Sequence, residues 1–450
     1  MKNYLVIGLG RSGISATNHL VNHSQKVFVY DNNKKLAKEL ILGGIIDKNV
    51  KIVAKLNKSI LCIIHCIVLS PGVKLSKKLL NLVQKFNIEI IGELAYANKF
   101  NVAPIFAITG TNGKTSTVNF LNDFFNNSKL SSYLLGNVGV PFSESVDKIQ
   151  PQDKVVLEVS SFQLEYCQGL KVKCGAILNI APDHLDRYSG FREYCDTKKK
   201  LLDCVDKDGR IFLNYDQKLT RLIGKSYPQT YYFSTNSLPS NERGICIIDN
   251  QIVWQENKSK VIVANLDKLN LKGEHNLSNL ICAIGMALYG GVSEEQIQST
   301  IPLLKTPKHR MDFVGAKNGV NFFDDSKATN IHSVQSALKS FTSPIWLLLG
   351  GSDKGESFDV FFKNLPKNVV GVVAFGKNGK KIYKSALKND YFEINRFKSL
   401  ENAFDFVKKE ANSGDTILLS PACASFDEFQ DYQQRGDFFC KLVAEWISEV

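Results

Sequence analysis

The chain has 450 residues, 44% of them apolar and 22% charged, with a formal net charge of +12. That length is more than one hydrophobic core organises and suggests about three domains, and the composition is that of a globular chain. No apolar run reaches the roughly 20 residues of a membrane span, and the lysines are scattered with no arginine-rich arm or zinc-finger spacing, so neither membrane insertion nor nucleic-acid binding is expected.

Strand-like apolar runs alternate with helical segments from end to end, the pattern of an α/β fold. After Met1-Lys2-Asn3 the apolar stretch is too short for a signal peptide, so a cytoplasmic location is expected. The ten cysteines include no C-x-x-C pair and read as structural thiols. Cys62 and Cys66, in the apolar run Ile60–Leu69, read as small buried hydrophobes. Tyr4–Ile7 reads as a first strand, and Gly8-Leu9-Gly10-Arg11-Ser12-Gly13 as a tight turn into a helix from about Ser12 to His23. A second strand, Val27–Tyr30, ends at Asp31. This is the dinucleotide-binding pattern, in which backbone amides approach phosphate at a helix N-terminus. Alone it leaves open a nicotinamide-dependent dehydrogenase, another nucleotide ligand, or a turn that binds nothing. Ser70-Pro71-Gly72, after the apolar run Ile63–Leu69, forms a second turn at the same sheet edge.

The strand Ile105–Thr109 leads into Gly110-Thr111-Asn112-Gly113-Lys114-Thr115-Ser116 and a helix reaching about Asn126. Such a loop can cradle phosphate with successive amides, while Lys114 neutralises β/γ charge and the Thr115 hydroxyl meets Mg²⁺. The spacing departs from the full phosphate-loop pattern, because Ile108 stands where the first glycine would be. This loop gives ATP a site that a dehydrogenase leaves unexplained. Glu158, ending the strand Val155–Leu157, is either a surface acid or an oxygen ligand for Mg²⁺. His184, beyond the strand Gly175–Ile180, is either a loop histidine or a metal ligand. In the helix Phe191–Leu202, Lys198 shares the face of Phe191, Tyr194, Leu201 and Leu202, whereas Lys199 and Lys200 point elsewhere. An inward lysine near like charges has its ammonium form disfavoured, and a neutral amine can take up CO₂ as a carbamate. Composition alone favours a lysine that snorkels to solvent.

Further motifs follow in order: Gly136-Asn137-Val138-Gly139, Leu157-Glu158-Val159-Ser160-Ser161-Phe162-Gln163-Leu164, and Asn179-Ile180-Ala181-Pro182-Asp183-His184-Leu185-Asp186-Arg187. Beyond them come Gly273-Glu274-His275-Asn276-Leu277-Ser278-Asn279, His309-Arg310, and Asp325-Ser326-Lys327-Ala328-Thr329-Asn330. Together with Ile108-Thr109-Gly110-Thr111-Asn112-Gly113-Lys114-Thr115 they resemble the Mur ligase family over nearly the whole chain. Gly8–Gly13, Ser70-Pro71-Gly72 and Ser420-Pro421-Ala422-Cys423-Ala424-Ser425 resemble its D-glutamate-adding branch.

The resemblance implies three α/β domains: Rossmann-like over 1–99, a central phosphate-loop ATPase type over 100–306, and Rossmann-like again over 307–450. It implies ATP and Mg²⁺ as cofactors, with Thr115, Glu158, His184 and a carbamylated Lys198 around the metal and Lys114 on the phosphates. ATP would also meet Gly110–Gly113, Ser116, Asn276, Asn279, Arg310, Asp325 and Lys327. Gly10, Arg11, Ser12, Asp31, Ser70, Pro71, Gly72 and Asn137 would hold UDP-N-acetylmuramoyl-L-alanine, and Thr329, Lys354, Ser425 and Phe426 would hold D-glutamate. A sibling ligase adding another amino acid is the nearest alternative, and a monomer is expected. Two positions depart from the family pattern. Asn32-Asn33 follows Asp31 without an arginine to stack on uracil, and Phe426 replaces a smaller leucine.

Overall fold

The structure, a computed structural model, describes residues 2–184, 187–269, 273–305, 308–353 and 355–449. Among these the strands form three sheets, of five, nine and six strands. The first contains β1 (Asn3–Ile7), β2 (Lys26–Tyr30), β3 (Lys51–Ile52), β4 (Cys66–Leu69) and β5 (Glu89–Gly92), in the order β3-β2-β1-β4-β5 and all parallel. Its central strands are continuous apolar runs because helices cover both faces. On one face Val6, Val29 and Val68 pack with Ala16 and Leu20 of the helix Arg11–Asn22. On the other, Leu5, Phe28 and Ile67 pack with Leu61 and Val83. The order reverses between β1 and β4, the place where an open parallel sheet presents a crevice. The helix sits tightly on the turn there: a Cβ on Gly13 would lie 1.8 Å from the Gly8 carbonyl oxygen.

The second sheet contains β6 (Ile105–Thr109), β7 (Ser132–Gly136), β8 (Lys154–Glu158), β9 (Val172–Ile177), β10 (Val205–Asn214), β11 (Thr230–Phe233), β12 (Gly244–Ile248), β13 (Gln251–Glu256) and β14 (Ser259–Asn265). Its order is β14-β13-β12-β11-β10-β9-β6-β8-β7, which sets β6 between β9 and β8. The pairings from β7 to β12 are parallel, and β13 and β14 complete an antiparallel edge. The helix Lys114–Asn127 buries Val118, Phe120, Leu121, Phe124 and Phe125. The third sheet contains β15 (Asp312–Lys317), β16 (Val320–Asp324), β17 (Ile345–Gly350), β18 (Val369–Phe375), β19 (Ile394–Arg396) and β20 (Thr416–Ala422), in the order β15-β16-β20-β17-β18-β19. Only β15 runs antiparallel to its neighbour.

The chain divides into two compact units. One comprises Met1–Ile180, Cys195–Asn270 and Ser278–Leu304 and carries the first two sheets; the other comprises Ala181–Tyr194, Leu271–Leu277 and Lys305–Val450 and carries the third. No helix among the described residues is long and apolar enough to cross a membrane.

The apolar run Ile60–Leu69 does not form one strand. Asn57 caps a short helix, Lys58–Leu61, by accepting from the Ile60 amide, and the strand begins only at Cys66. Cys66 is therefore buried as expected, whereas Cys62 is exposed. The helix expected over Phe191–Leu202 spans Phe191–Asp203; Tyr194, Lys198, Leu201 and Leu202 are buried, but Phe191 at its first turn is exposed.

Candidate functional site

The glycine loop lies at the C-terminal end of β6, where the chain turns into the helix Lys114–Asn127. Gly113 precedes that helix with φ 84°, a left-handed conformation that costs other residues strain. A Cβ there would also meet the Asn279 Oδ1 at 2.2 Å, so the Asn279 side chain lies directly against the loop. Two of the loop amides are directed inward: the Thr111 N–H donates to the Asn179 carbonyl at 2.9 Å, and the Asn112 N–H to Asn179 Oδ1 at 2.9 Å. The Asn179 amide returns a bond to the Asn112 carbonyl at 3.1 Å. Asn179 thus shapes the loop from the segment following β9.

Two ammonium groups converge on one loop carbonyl. Lys114 Nζ donates to the carbonyls of Gly110 at 2.8 Å and Thr111 at 2.9 Å, and Lys198 Nζ donates to the same Gly110 oxygen at 2.8 Å. Lys198 is 1% exposed, with the Thr109 hydroxyl 3.5 Å away, so its side chain does not snorkel. Lys199 pairs instead with Asp196 near the surface, and Lys200 reaches the Glu165 carbonyl. Concentrated positive charge beside a glycine loop suits a polyphosphate.

Glu158 ends β8, in register between Ile108 of β6 and Gly136 of β7. It is 2% exposed, and its Oε1 accepts from Asn137 Nδ2 at 2.6 Å. Its Oε2 has no hydrogen-bond partner among the described residues, and neither has the buried Ser116 hydroxyl in the loop helix. A buried carboxylate oxygen without a donor is costly to keep and is suited to a hard cation. Glu158, with the buried Thr115, therefore fits Mg²⁺. Asn137, expected at the uridine substrate, is the residue that orients this carboxylate.

At the edge of the first sheet, a cleft of about 370 Å³ is lined by Gly8, Tyr30, Asp31, Asn32, Lys55 and Lys74, among others. Asp31 accepts from the amides of Leu9 at 2.7 Å and Asn33 at 2.8 Å, tying the glycine turn to the end of β2. Gly10 caps the helix Arg11–Asn22 after β1, Ser12 stands in that helix's first turn, and Ser70-Pro71-Gly72 follow β4. Arg11 reaches away from its own turn, donating to the Gly139 carbonyl at 2.7 Å.

In the other unit His184 adopts φ 54°, and its amide donates to Asp183 Oδ1 at 2.9 Å. Arg310 follows His309, whose Nδ1 lies 2.5 Å from Asp324 Oδ2. Asp325 is buried and accepts from the Ser420 hydroxyl at 2.8 Å; burial pushes its carboxyl up to about 7 against that bond. Lys327 Nζ donates to Tyr432 Oη at 3.0 Å. Asn276 is buried near the start of the helix Glu274–Tyr289. Thr329 donates its amide to the Lys327 carbonyl. Ser425 is buried while Phe426 is exposed. Lys354, Leu185 and Asp186 lie outside the described residues, as does Pro307, near which a domain boundary is expected.

A family model of the Mur ligase MurD-like N-terminal domain matches residues 2–92, one of the Mur ligase middle domain residues 108–287, and one of the Mur ligase glutamate ligase domain residues 309–423. The chain is 38% identical over 448 residues to the UDP-N-acetylmuramoylalanine–D-glutamate ligase of a Thermoanaerobacter species, covering 99% of this chain and 98% of that protein. It is 35% identical, with the same coverage, to the protein of that name from Caldanaerobacter subterraneus. The chain belongs to the Mur ligase family. Among solved structures this Mur ligase is similar to a pseudomurein peptide ligase type C from Methanothermus fervidus, with TM-score 0.62 and 18% identity over 99% of this chain and 100% of that one. It is also similar to the UDP-N-acetylmuramate–alanine ligase of Thermotoga maritima, with TM-score 0.59 and 16% identity over 99% of this chain and 100% of that one. These likenesses bear on the fold alone. The family in general uses ATP and Mg²⁺, in keeping with the charge around the loop, and the nicotinamide reading of the first glycine turn is set aside.

For this Mur ligase the sequence assigns no role to Asn179 or Arg435 and does not pair Asn137 with Glu158. Asn179 clamps the loop, although its position inside a family motif was visible. The Asn137–Glu158 contact joins the ends of two strands. Arg435, fully buried in the helix Tyr432–Ser448, donates to Ser326 Oγ at 3.0 Å and to the carbonyls of Ser326 at 2.8 Å, Cys423 at 3.1 Å and Gly350 at 3.4 Å. It fastens the end of β17 to the loops beyond β16 and β20, and burial draws its guanidinium down to about 10. A lone arginine on an amphipathic helix carries no sequence signal for that job.

Proposed function

We propose that this chain joins D-glutamate to UDP-N-acetylmuramoyl-L-alanine in peptidoglycan synthesis, consuming ATP. The observation that carries the chemistry is the buried Glu158, one oxygen unpaired, together with the two ammonium groups on the Gly110 carbonyl. The 38% full-length identity to named D-glutamate ligases supports the choice of amino acid.

In this reading the L-alanyl carboxylate oxygen attacks the γ-phosphorus of ATP, releasing ADP and leaving an acyl phosphate on the substrate. The D-glutamate amine nitrogen then attacks the acyl carbon, phosphate departs, and the amine loses its proton. Lys114 leaves its loop carbonyls to follow the γ-phosphate charge, a form of electrostatic stabilisation suited to phosphoryl transfer. Mg²⁺, when bound, neutralises phosphate charge, with Thr115, Glu158, His184 and Lys198 as its proposed surroundings. Asn137 holds the Glu158 carboxylate in place. Lys198 first gives up its ammonium proton; the neutral amine then takes up CO₂ and releases a second proton to become a carbamate, turning a cation into an anion beside the loop.

The cleft at the first sheet takes the uridine nucleotide. With no arginine after Asp31, Lys55, Lys74 and Lys78 supply cationic groups on its wall. Asn276, Asn279, Arg310, Asp325 and Lys327 serve the rest of ATP, and Thr329, Lys354, Ser425 and Phe426 serve D-glutamate. Domains over 1–99, 100–306 and 307–450, a monomeric state and a cytoplasmic location complete the reading. The test is phosphate release from ATP, Mg²⁺ and UDP-N-acetylmuramoyl-L-alanine across a panel of amino acids. D-glutamate should stand alone in stimulating it; stimulation by another amino acid with none by D-glutamate refutes the assignment.

A further inference from the structure

The helix Arg11–Asn22 and its C-cap bring two histidines, four residues apart, to one carboxylate from beyond the first sheet. His19 Nε2 lies 3.2 Å from Asp147 Oδ1, and His23 Nε2 lies 3.1 and 3.0 Å from its two oxygens. The rings stack with centroids 4.3 Å apart. Phe100, between β5 and β6, packs its ring 4.7 Å from His19 and 4.9 Å from His23. Asp147 belongs to the short turn Val146–Lys148, between β7 and β8 of the second sheet.

We propose that His19, His23 and Asp147 bind a divalent transition-metal ion of the Zn²⁺ class, clasping the first sheet's helix to the second sheet's flank. Tetrahedral zinc with bonds of roughly 2.0–2.1 Å holds its nitrogen and oxygen donors about 3.3 Å apart. The nitrogen–oxygen separations here need only a few tenths of an ångström to open to that span. Two imidazoles and one carboxylate suit zinc, nickel or cobalt, whereas magnesium and calcium favour all-oxygen sites. Tyr96 Oη lies 2.7 Å from His19 Nδ1, where it can accept the Nδ1 proton and so leave the Nε2 lone pair for an ion. Burial lowers the His19 pKa, with His23 adding to the effect and Asp147 opposing it; this favours the neutral imidazole that coordination requires. His23 and Asp147 are 36% and 51% exposed in their side chains, which gives an ion an entry path and water as a fourth ligand.

The test uses the metal-free full chain without nucleotide, titrated with Zn²⁺ by calorimetry and with Co²⁺ by its visible d–d absorption. One saturable equivalent is expected, with a tetrahedral cobalt spectrum and a higher melting temperature in Zn²⁺. His23→Gln and Asp147→Asn should each weaken that equivalent by at least about tenfold without changing ATP-dependent phosphate release. Both side chains are half-exposed, so the variants should fold, as their melting temperatures without metal will establish. The proposal is overturned if wild type shows no saturable binding. It is also overturned if the equivalent survives both substitutions, placing the ion elsewhere, for example on Cys167 and Cys204, whose sulfurs are 3.7 Å apart.

Discussion

Replacing Asn179 by alanine removes the two side-chain bonds that hold Asn112, at 2.9 and 3.1 Å, and leaves the main-chain bond from Thr111 in place. Each such bond contributes about 0.5–1.5 kcal/mol net, so the loop loses about 1–3 kcal/mol of positional restraint. If that loss falls on the ATP-bound transition state, kcat/KM for ATP drops by roughly 5- to 150-fold. Asn179→Asp sharpens the test, since it keeps the acceptor for the Asn112 amide but loses the donor and adds negative charge near the proposed phosphate site. It should be at least as impaired as alanine despite its closer shape. Steady-state phosphate release over a range of ATP concentrations, with melting curves of each variant, separates loop misplacement from unfolding. A folded Asn179→Ala enzyme whose kcat/KM for ATP stays within about twofold of wild type refutes the clamp.

Lys198→Ala should lose turnover and regain part of it in formate or acetate, while Lys199→Ala and Lys200→Ala stay active; three alike responses in phosphate release argue against a carbamate. Asp325 titrates near 7 when folded because burial raises it, so the protonated form favours folding. Its contribution is fullest below the ordinary carboxylate pKa and is lost as pH rises through about 7, a change of up to about 4 kcal/mol. Denaturation of Asp325→Asn and wild type across pH 4 to 8 should show the variant losing less stability with rising pH. Arg435→Met should cost about 3–5 kcal/mol, since buried carbonyls lose their donor, and should lower the melting temperature of the unit carrying the third sheet.

The features legible in the sequence were those whose signal is local. A strand followed by glycines, lysine and threonine located the loop, and the helical period set Lys198 on the buried face while turning Lys199 and Lys200 away. Phe191 fits the same period yet is exposed, because it stands in the helix's first turn. The run around Cys62 misled for a related reason: a cap at Asn57 started a helix inside what composition presents as one apolar stretch. The partnerships of Asn137 with Glu158, Asn179 with Asn112 and Arg435 with three segments join positions 21, 67 and up to 109 residues apart. Such pairings depend on sheet order and helix docking, which composition and spacing do not encode. The Asn137–Glu158 bond therefore leaves no trace in the sequence pattern, and Arg435 stands in no motif that would single it out.

The position of Glu158 also bears on motion. Its strand is hydrogen-bonded on both sides, to β6 and to β7, and β6 is itself held by β9. Amides in such a ladder exchange with solvent only when much of the sheet opens, whereas turns open locally at lower free energy. The candidate metal-binding carboxylate therefore rides on a slow-exchanging part of the molecule, while the glycine loop, restrained partly by the Asn179 side chain, can breathe beside it. Under the proposed function, a fixed anchor next to an adjustable cradle would let nucleotide enter and leave by loop motion without displacing the carboxylate.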